Sequence, residues 1–263
     1  MSETGVLVLN AGSSSLKFAV FRIAGGDEAL SSVLRGQISG IGTSAVFSSR
    51  IEDGRSAGGR STSVQLDAVD THQKAIAYAL RWIDENFSAM SLVGVGHRVV
   101  HGGPHRRTPA LVTPELMLEL DALSRLAPHH QPHNLAAIRA LAANARDLPQ
   151  VACFDTAFHS TQSDLVRRLP LPRALRDSGL QRYGFHGLSY EYITGAVPAY
   201  NDGGMPQRLL VAHLGNGASL CAIRDGESVA TSMGFSTLDG LLMGTRSGSI
   251  DPGVLLHLMH EEH

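Results

Sequence analysis

The sequence predicts an α/β protein built as two related lobes. Apolar runs with strand-like composition alternate along the chain with segments of helical periodicity. One strand–turn–strand unit also occurs twice: VLVLNAGSSSLKFAVF (Val6–Phe21) and LLVAHLGNGASLCAI (Leu209–Ile223) superimpose without gaps when Gly12 is laid on Gly215. The chain has 263 residues, 43% of them hydrophobic and 17% charged, which suffices for one large or two ordinary domains. Two copies of one β-turn-β unit, one in each half, predict lobes facing each other across a cleft. The competing account, that any two short hairpins look alike, stays open on this observation alone.

The elements follow in order. Val6–Leu9 and Leu16–Phe21 are β-prone runs flanking Asn10-Ala-Gly-Ser-Ser-Ser, two strands joined by a tight turn of small residues. Residues 25–60 are rich in Gly and Ser with scattered Val and Ile, and predict further short strands without fixing their bounds. Val69, Ile76, Ala77, Leu80, Ile83 and Phe87 recur at helical spacing, predicting an amphipathic helix over 69–87. Residues 91–100 read as a strand ending at His101-Gly-Gly. Thr113-Pro114-Glu115 combines an N-cap, a first-turn proline and a first-turn acid, opening a helix to about Leu126. A second helix is expected over 134–146 and a strand over 151–154, with the domain boundary at Leu148-Pro149, hence lobes 1–149 and 150–263. A helix from Ser189, the hairpin 209–223 and a turn at Asp225-Gly226 complete the reading.

Composition narrows the function. A formal charge of −2 supplies no broad positive field, so neither nucleic acid nor an anionic membrane surface is expected as a partner; a small molecule is. Cys153 and Cys221 each sit inside an apolar run and read as buried small hydrophobes rather than a disulfide or zinc framework. Val6–Leu9 is too short for a signal-peptide core, and no stretch approaches the ~20 apolar residues of a spanning helix. A cytoplasmic protein is the expectation.

A Gly/Ser turn between strands gathers backbone N–H groups and hydroxyls in one concavity suited to phosphate oxygens, and Lys17 follows as a cation. Taken alone, the same residues fit an ordinary serine-rich hairpin. No G-x-x-x-x-G-K-[ST] occurs, and Gly94-x-Gly96 lacks the third glycine of a dinucleotide-binding turn. Six motifs then stand in order: N-A-G-S-S-S-L-K (Asn10–Lys17), G-H-R-V-V-H-G-G (Gly96–Gly103), F-D-T-A-F-H (Phe154–His159), R-Y-G-F-H-G (Arg182–Gly187), H-L-G-N-G-A-S (His213–Ser219) and M-G-T-R-S-G (Met243–Gly248). Together they resemble the acetate kinase family, of the acetate and sugar kinase, heat-shock ATPase and actin superfamily. The resemblance implies the duplicated, two-lobed actin/sugar-kinase-like (ribonuclease H-like) fold, and its duplication agrees with the repeat.

The resemblance also implies roles. Asn10 helps hold magnesium, with manganese as a substitute, and Ser13, Ser15 and Lys17 approach the phosphates of ATP. His213, Leu214, Gly215, Asn216 and Gly217 form the second phosphate loop. Arg98 and Arg246 grip the carboxylate and the phosphoryl group in flight, His186 donates to that group, and Asp155 is the active-site acid. These residue types suit a loose, anionic phosphoryl group, which is stabilised by fixed cations and donors around its oxygens. Without the resemblance, Arg98 reads as a structural ion-pair partner and Asp155 as a turn cap. A carboxylate titrates near pH 4 and needs no general base to act as a nucleophile at neutral pH, so Asp155 is expected to position the metal or an arginine.

Val100 and Phe185 match the family's acyl pocket, whereas His129 stands where the family usually has an aliphatic residue and Thr237 where it often has proline. Acetate against propionate thus stays open, a difference of one methylene or about 1–3 kcal/mol. His129, His130 and His133 lie on a proline-bounded stretch with no accompanying acid or cysteine, and no metal is expected there. His257, His260 and His263 share a stripe read as a frayed helix face. The family runs on well past Met259, so the resemblance implies an incomplete second lobe: a piece of a longer product, or a shortened protein with an uncovered apolar face. A homodimer is implied by the family alone. Three functions compete: acetate kinase, a propionate or butyrate kinase, and a catalytically silent remnant.

Overall fold

The computed structural model describes residues 3–23, 30–52 and 59–261. It divides into two compact units, Met1–His101 with Thr108–Cys153, and Gly102–Arg107 with Phe154–His263.

The first unit holds β1 (Glu3–Ala11), β2 (Ser15–Ile23), β3 (Ser31–Ser39), β4 (Ala45–Ile51), β5 (Arg60–Leu66), helix α1 (His72–Asn86), β6 (Met90–Val99), β7 (Ala110–Leu111), α2 (Pro114–Ala122), α3 (Gln131–Asn144) and β8 (Gln150–Phe154). The strands form one sheet in the order β5-β4-β3-β2-β1-β6-β8-β7. β1 to β5 run as an antiparallel meander, and β6 lies parallel to β1, with Leu9 opposite His97. The stretch whose strand bounds the sequence left open supplies β3 and β4; residues 24–29 and 53–58 lie outside the described residues. The expected boundary at Leu148-Pro149 differs from the observed division because β8 is hydrogen-bonded into the first sheet, while Gly102–Arg107 groups with the second unit.

Alternation along the strands sends Leu7, Leu9, Leu16, Phe18, Val20, Leu34, Ile38 and Phe47 to one face. There they pack with Ala75, Ile76, Ala79 and Ile83 of α1 and Ala137, Ala140 and Leu141 of α3. Phe47 is fully buried, with the Tyr78 and Trp82 rings 5.1 and 5.2 Å away. The other face carries Asn10, Lys17, Arg35, Gln37, Ser48 and Arg50, which line an open trough of about 760 Å³.

Helix starts obey capping chemistry more closely than apolar periodicity. α1 begins after Thr71, whose side chain accepts from Lys74 N; Val69 belongs to the apolar pattern but packs on the core ahead of the cap. α2 begins after Thr113, whose side chain accepts from Leu116 N, and its end tightens into a 3₁₀ turn at Leu123–Leu126. α3 starts three residues before the expected Asn134 because Pro132 occupies its first turn. His130 is therefore an N-cap residue and His133 lies in the helix.

The second unit contains short α4 (Asp164–Arg167) and α5 (Arg173–Asp177), α6 (Gly187–Ala196), the antiparallel sheet β9 (Arg208–Leu214), β10 (Ala218–Arg224) and β11 (Glu227–Thr231), and α7 (Pro252–Glu261). Tyr190 of α6 packs with Val211, Cys221 and Ile223 of the sheet. Asp225 and Gly226, both at positive φ, make the tight turn into β11. α7 buries none of its residues; His257 and His260 lie on it, and His263 lies outside the described residues. The two repeated hairpins differ in one respect. Ala11 pairs with Leu16 around a four-residue turn, and Leu214 with Ala218 around a three-residue turn. That missing residue reverses the faces of β9 relative to β1, so His213, the counterpart of Asn10, shares the side of β9 that carries Val211.

Candidate active site

In the first unit the candidate residues lie at and beside the β1–β2 turn. Gly12 N donates to Ser15 O at 2.8 Å and Ile41 N to Ser14 O at 3.0 Å. From outside the hairpin, Asn134 Nδ2 donates to Ala11 O at 2.7 Å and the His72 ring bonds Gly12 O at 2.7 Å. The turn is thus anchored through its backbone carbonyls, with Ser13 and Lys17 exposed and Ser15 half-buried. Asn10 and Lys17 are cross-strand partners, so their side chains share a face. The parallel pairing of β1 with β6 sets Arg98 beside them, and Arg98 Nη1 donates to Asn10 Oδ1 at 3.1 Å. Strand alternation therefore sends Arg98 to the open face and its neighbour His97 into the core.

Asn134 also accepts from Val100 N at 2.9 Å, so one amide side chain braces both the β1–β2 turn and the residue that follows the strand carrying Arg98. Val100 is buried and His129 is exposed. Burial pushes the imidazoles of His97 and His101 down to about 4, partly offset at His97 by the Gln150 side chain.

The second unit gathers the remaining residues. Asp155 follows β8, is 1% exposed, and its carbonyl accepts from Gly187 N at 2.8 Å. A Cβ on Gly187 would stand 2.3 Å from that carbonyl oxygen, so only glycine lets α6 start so close. His186 precedes α6 in the left-handed region, φ 61° and ψ 18°. Its Nδ1 lies 2.8 Å from Ser219 Oγ, and His213 Nδ1 lies 2.9 Å from Ser189 Oγ. The two imidazoles stack at 4.0 Å between centroids, 23° apart.

Both histidines turn their other nitrogen to the glycine loop. A Cβ on Gly217 would meet His186 Nε2 at 2.9 Å and Arg246 Nη1 at 3.4 Å; one on Gly215 would meet His213 Nε2 at 3.2 Å. Arg246 Nη1 is held by Thr237 O at 2.9 Å, so Thr237 enters through its backbone. Leu214, Gly215 and Asn216 are exposed and Phe185 is buried.

Sequence reasoning assigned no role to His159, Tyr190 and Ser219. His159 Nε2 donates to Phe185 O at 2.9 Å, and its Nδ1 therefore accepts from Ser228 Oγ at 2.8 Å. Gln162 Nε2 donates to the same hydroxyl at 3.0 Å. Burial lowers the His159 pKa, so the ring stays neutral and braces the residue before His186. Both His159 and Ser219 close one of the six motifs, and that position was the available signal.

The sequence profile of the acetokinase family matches residues 5–263. The chain belongs to the acetokinase family. It is 47% identical over 262 residues to an acetate kinase of Rhodopseudomonas palustris, covering 98% of this chain and 64% of that one. It is 36% identical to an acetate kinase of Rickettsia prowazekii, with the same coverage. Among solved structures, Porphyromonas gingivalis acetate kinase matches with a TM-score of 0.83 and 33% identity over 98% of this chain and 64% of that one. A propionate kinase from Francisella tularensis matches with a TM-score of 0.87 and 33% identity over 100% and 65%. The acetokinase chain described here thus spans about 64% of the length of its curated relatives. Its fold is the α/β, actin-like kinase fold of those structures. Among the described residues no helix is long and apolar enough to cross a membrane.

The acetokinase donor set suits a hard cation that arrives with phosphates. No group of three or more His, Cys, Asp or Glu able to hold a metal occurs among the described residues. Asn10 Oδ1 has two lone pairs and gives one to Arg98. An amide oxygen with a lone pair to spare is a hard donor of the kind a divalent cation takes alongside waters and substrate phosphates.

Proposed function

We propose that this acetokinase chain carries the phosphoryl-transfer machinery of an acetate kinase: ATP and acetate give ADP and acetyl phosphate, reversibly and with magnesium. The observation that carries the reading is the convergence of His186 Nε2, His213 Nε2 and Arg246 Nη1 on one glycine loop. A guanidinium and two imidazole nitrogens able to donate make an anion cradle, and a phosphoryl group in flight is an anion stabilised by such donors.

In this reading the loop 213–217 receives nucleotide phosphates, while Ser13, Ser15 and Lys17 supply further hydroxyls and a cation. Were magnesium bound, Asn10 would help hold it, Asp155 would position the metal or an arginine, and the cation would supply positive charge against the transferring group. Arg98 orients the acetate carboxylate, which is already ionised and attacks without a base. Val100, Phe185, His129 and Thr237 border the methyl group. His186 and Arg246 donate to the equatorial oxygens. Asp155 acts through position rather than proton transfer; an Asp155→Asn variant that kept its metal affinity but showed an altered pH–rate profile would sink that assignment. The working protein is a cytoplasmic homodimer in this reading, by family likeness.

The likeness to the Francisella tularensis propionate kinase favours a second reading, in which propionate is the acceptor. Hydroxylamine trapping of acyl phosphate, with this chain, ATP, magnesium and either acid, tests both. Product dependent on Arg98 and Arg246 supports the kinase, and the ratio of the two acyl hydroxamates assigns the acid. Soluble folded chain that yields neither product refutes the activity for this length of protein.

A further inference from the structure

A neutral imidazole carries one proton, so His186 can donate from Nε2 only while its Nδ1 is an acceptor. Two buried hydroxyls decide which nitrogen holds the proton. Tyr190 and Ser219 are both 0% exposed. Tyr190 stands four residues after His186, hence one helical turn along, and Ser219 lies on β10 opposite His213. The Tyr190 phenol and Ser219 Oγ are hydrogen-bonded to each other, and Ser219 Oγ is 2.8 Å from His186 Nδ1.

Among the described residues the phenol oxygen has no second hydrogen-bond partner, and Ser219 Oγ has only these two. Burial pushes the phenol up to about 12, so it keeps its proton. That proton has one acceptor, Ser219 Oγ. The Ser219 proton is then left with one acceptor, His186 Nδ1. The opposite direction, from His186 through Ser219 to Tyr190, would strand the phenolic proton in the core without an acceptor, an arrangement folded proteins avoid.

We propose that Tyr190 and Ser219 are positioning residues that form a one-way hydrogen-bond chain, Tyr190 to Ser219 to His186, holding His186 in the tautomer whose Nε2–H faces Gly217. The functional consequence rests on the reading of His186 as a donor to the phosphoryl group. It would hold that donor ready before substrate arrives, so none of the binding energy is spent on choosing a tautomer.

The test is long-range ¹H–¹⁵N NMR of the full 263-residue chain with labelled histidine, the His186 signal being the one lost in His186→Gln. Wild type is expected to show a single neutral tautomer, with Nε2 protonated and Nδ1 unprotonated. Ser219→Ala should populate both tautomers and lower kcat roughly tenfold with KM little changed, short of the ~10²–10³ seen when a transition-state donor is lost outright. Ser219→Thr, which restores the hydroxyl, should restore the single tautomer. A wild-type His186 that is protonated on Nδ1 or mixed would overturn the proposal, and this result needs no variant to fold. An unchanged single tautomer in Ser219→Ala would overturn it equally. Full turnover in His186→Gln would instead refute the donor role and leave the tautomer result standing.

Discussion

Acidification should destabilise the first unit well before its carboxylates titrate. His97 and His101 are buried in the first unit, at 2% and 0% exposure, and each is held to about 4 against an ordinary 6.5. A depressed folded pKa means that the neutral ring belongs to the native state and the unfolded chain binds the extra proton. The stabilisation is therefore complete above about pH 6.5 and is lost as pH falls towards 4. At about 1.4 kcal/mol per pH unit for each proton, each histidine contributes about 3 kcal/mol across the whole window, and the pair removes roughly 4 kcal/mol by about pH 5. Against a typical domain stability of 5–15 kcal/mol that is a large fraction. Trp82, the sole tryptophan, lies on α1 with its ring 5.2 Å from that of Phe47, so its fluorescence reports this unit specifically. Urea unfolding followed at Trp82 from about pH 7.5 to about pH 5 should show the midpoint falling steadily, with uptake of nearly two protons on unfolding. His97→Gln should remove about half of that pH slope. Stability unchanged within about 1 kcal/mol over the same range would refute the linkage and with it the neutral, desolvated state of the two rings.

Other substitutions probe separate parts of the structure. Gly187→Ala places a methyl 2.3 Å from Asp155 O and 2.9 Å from Phe158 Cβ, and should cost about 1–3 kcal/mol by urea titration while also lowering turnover, since the displaced residue adjoins His186. Phe47→Ala should cost about 3–5 kcal/mol, read at Trp82, because a fully buried ring is removed from among Phe18, Tyr78 and Trp82. Thr113→Ala deletes the acceptor for Leu116 N and should cost about 1 kcal/mol, with Thr113→Ser retaining most of the stability. On the proposed function, Arg98→Ala should abolish acyl-phosphate formation in the hydroxylamine assay while leaving the Trp82 unfolding midpoint within about 1 kcal/mol, as the Arg98–Asn10 bond is only part-buried.

Local chemistry was legible residue by residue. Thr113 marks the start of α2 because a side-chain acceptor acts within one turn of chain, and Gly12 and Gly217 mark turns for the same short-range reason. Thr71 and Pro132 carry the same kind of signal, but apolar spacing placed those two helix starts at Val69 and Asn134 instead. Asn10, Arg98, His186, His213 and Arg246 each stand inside one of the six contiguous motifs. Strand pairing beyond the two local hairpins was not legible. Residues 31–66 hold strands of mixed polarity whose order and register depend on partners tens of residues away. The repeated hairpin shows the same limit, since its letters align without a gap while its pairing does not. One residue fewer in the second turn reverses a strand face, a change that hydrogen-bond register expresses and composition does not.

By itself the sequence determined the family, the α/β class, the two small-residue turns between strands and the residue types of the candidate site, because these reside in contiguous motifs. Only the tertiary structure decided what stands behind them. Asn134 braces the first turn from 123 residues away, His159 reaches Ser228 across 69, and Ser219 reaches His186 across 33. Such pairings arise from burial: once a chain segment is packed away from water, an unpaired polar group in it costs free energy, and the partner that relieves the cost is a neighbour in space rather than in sequence.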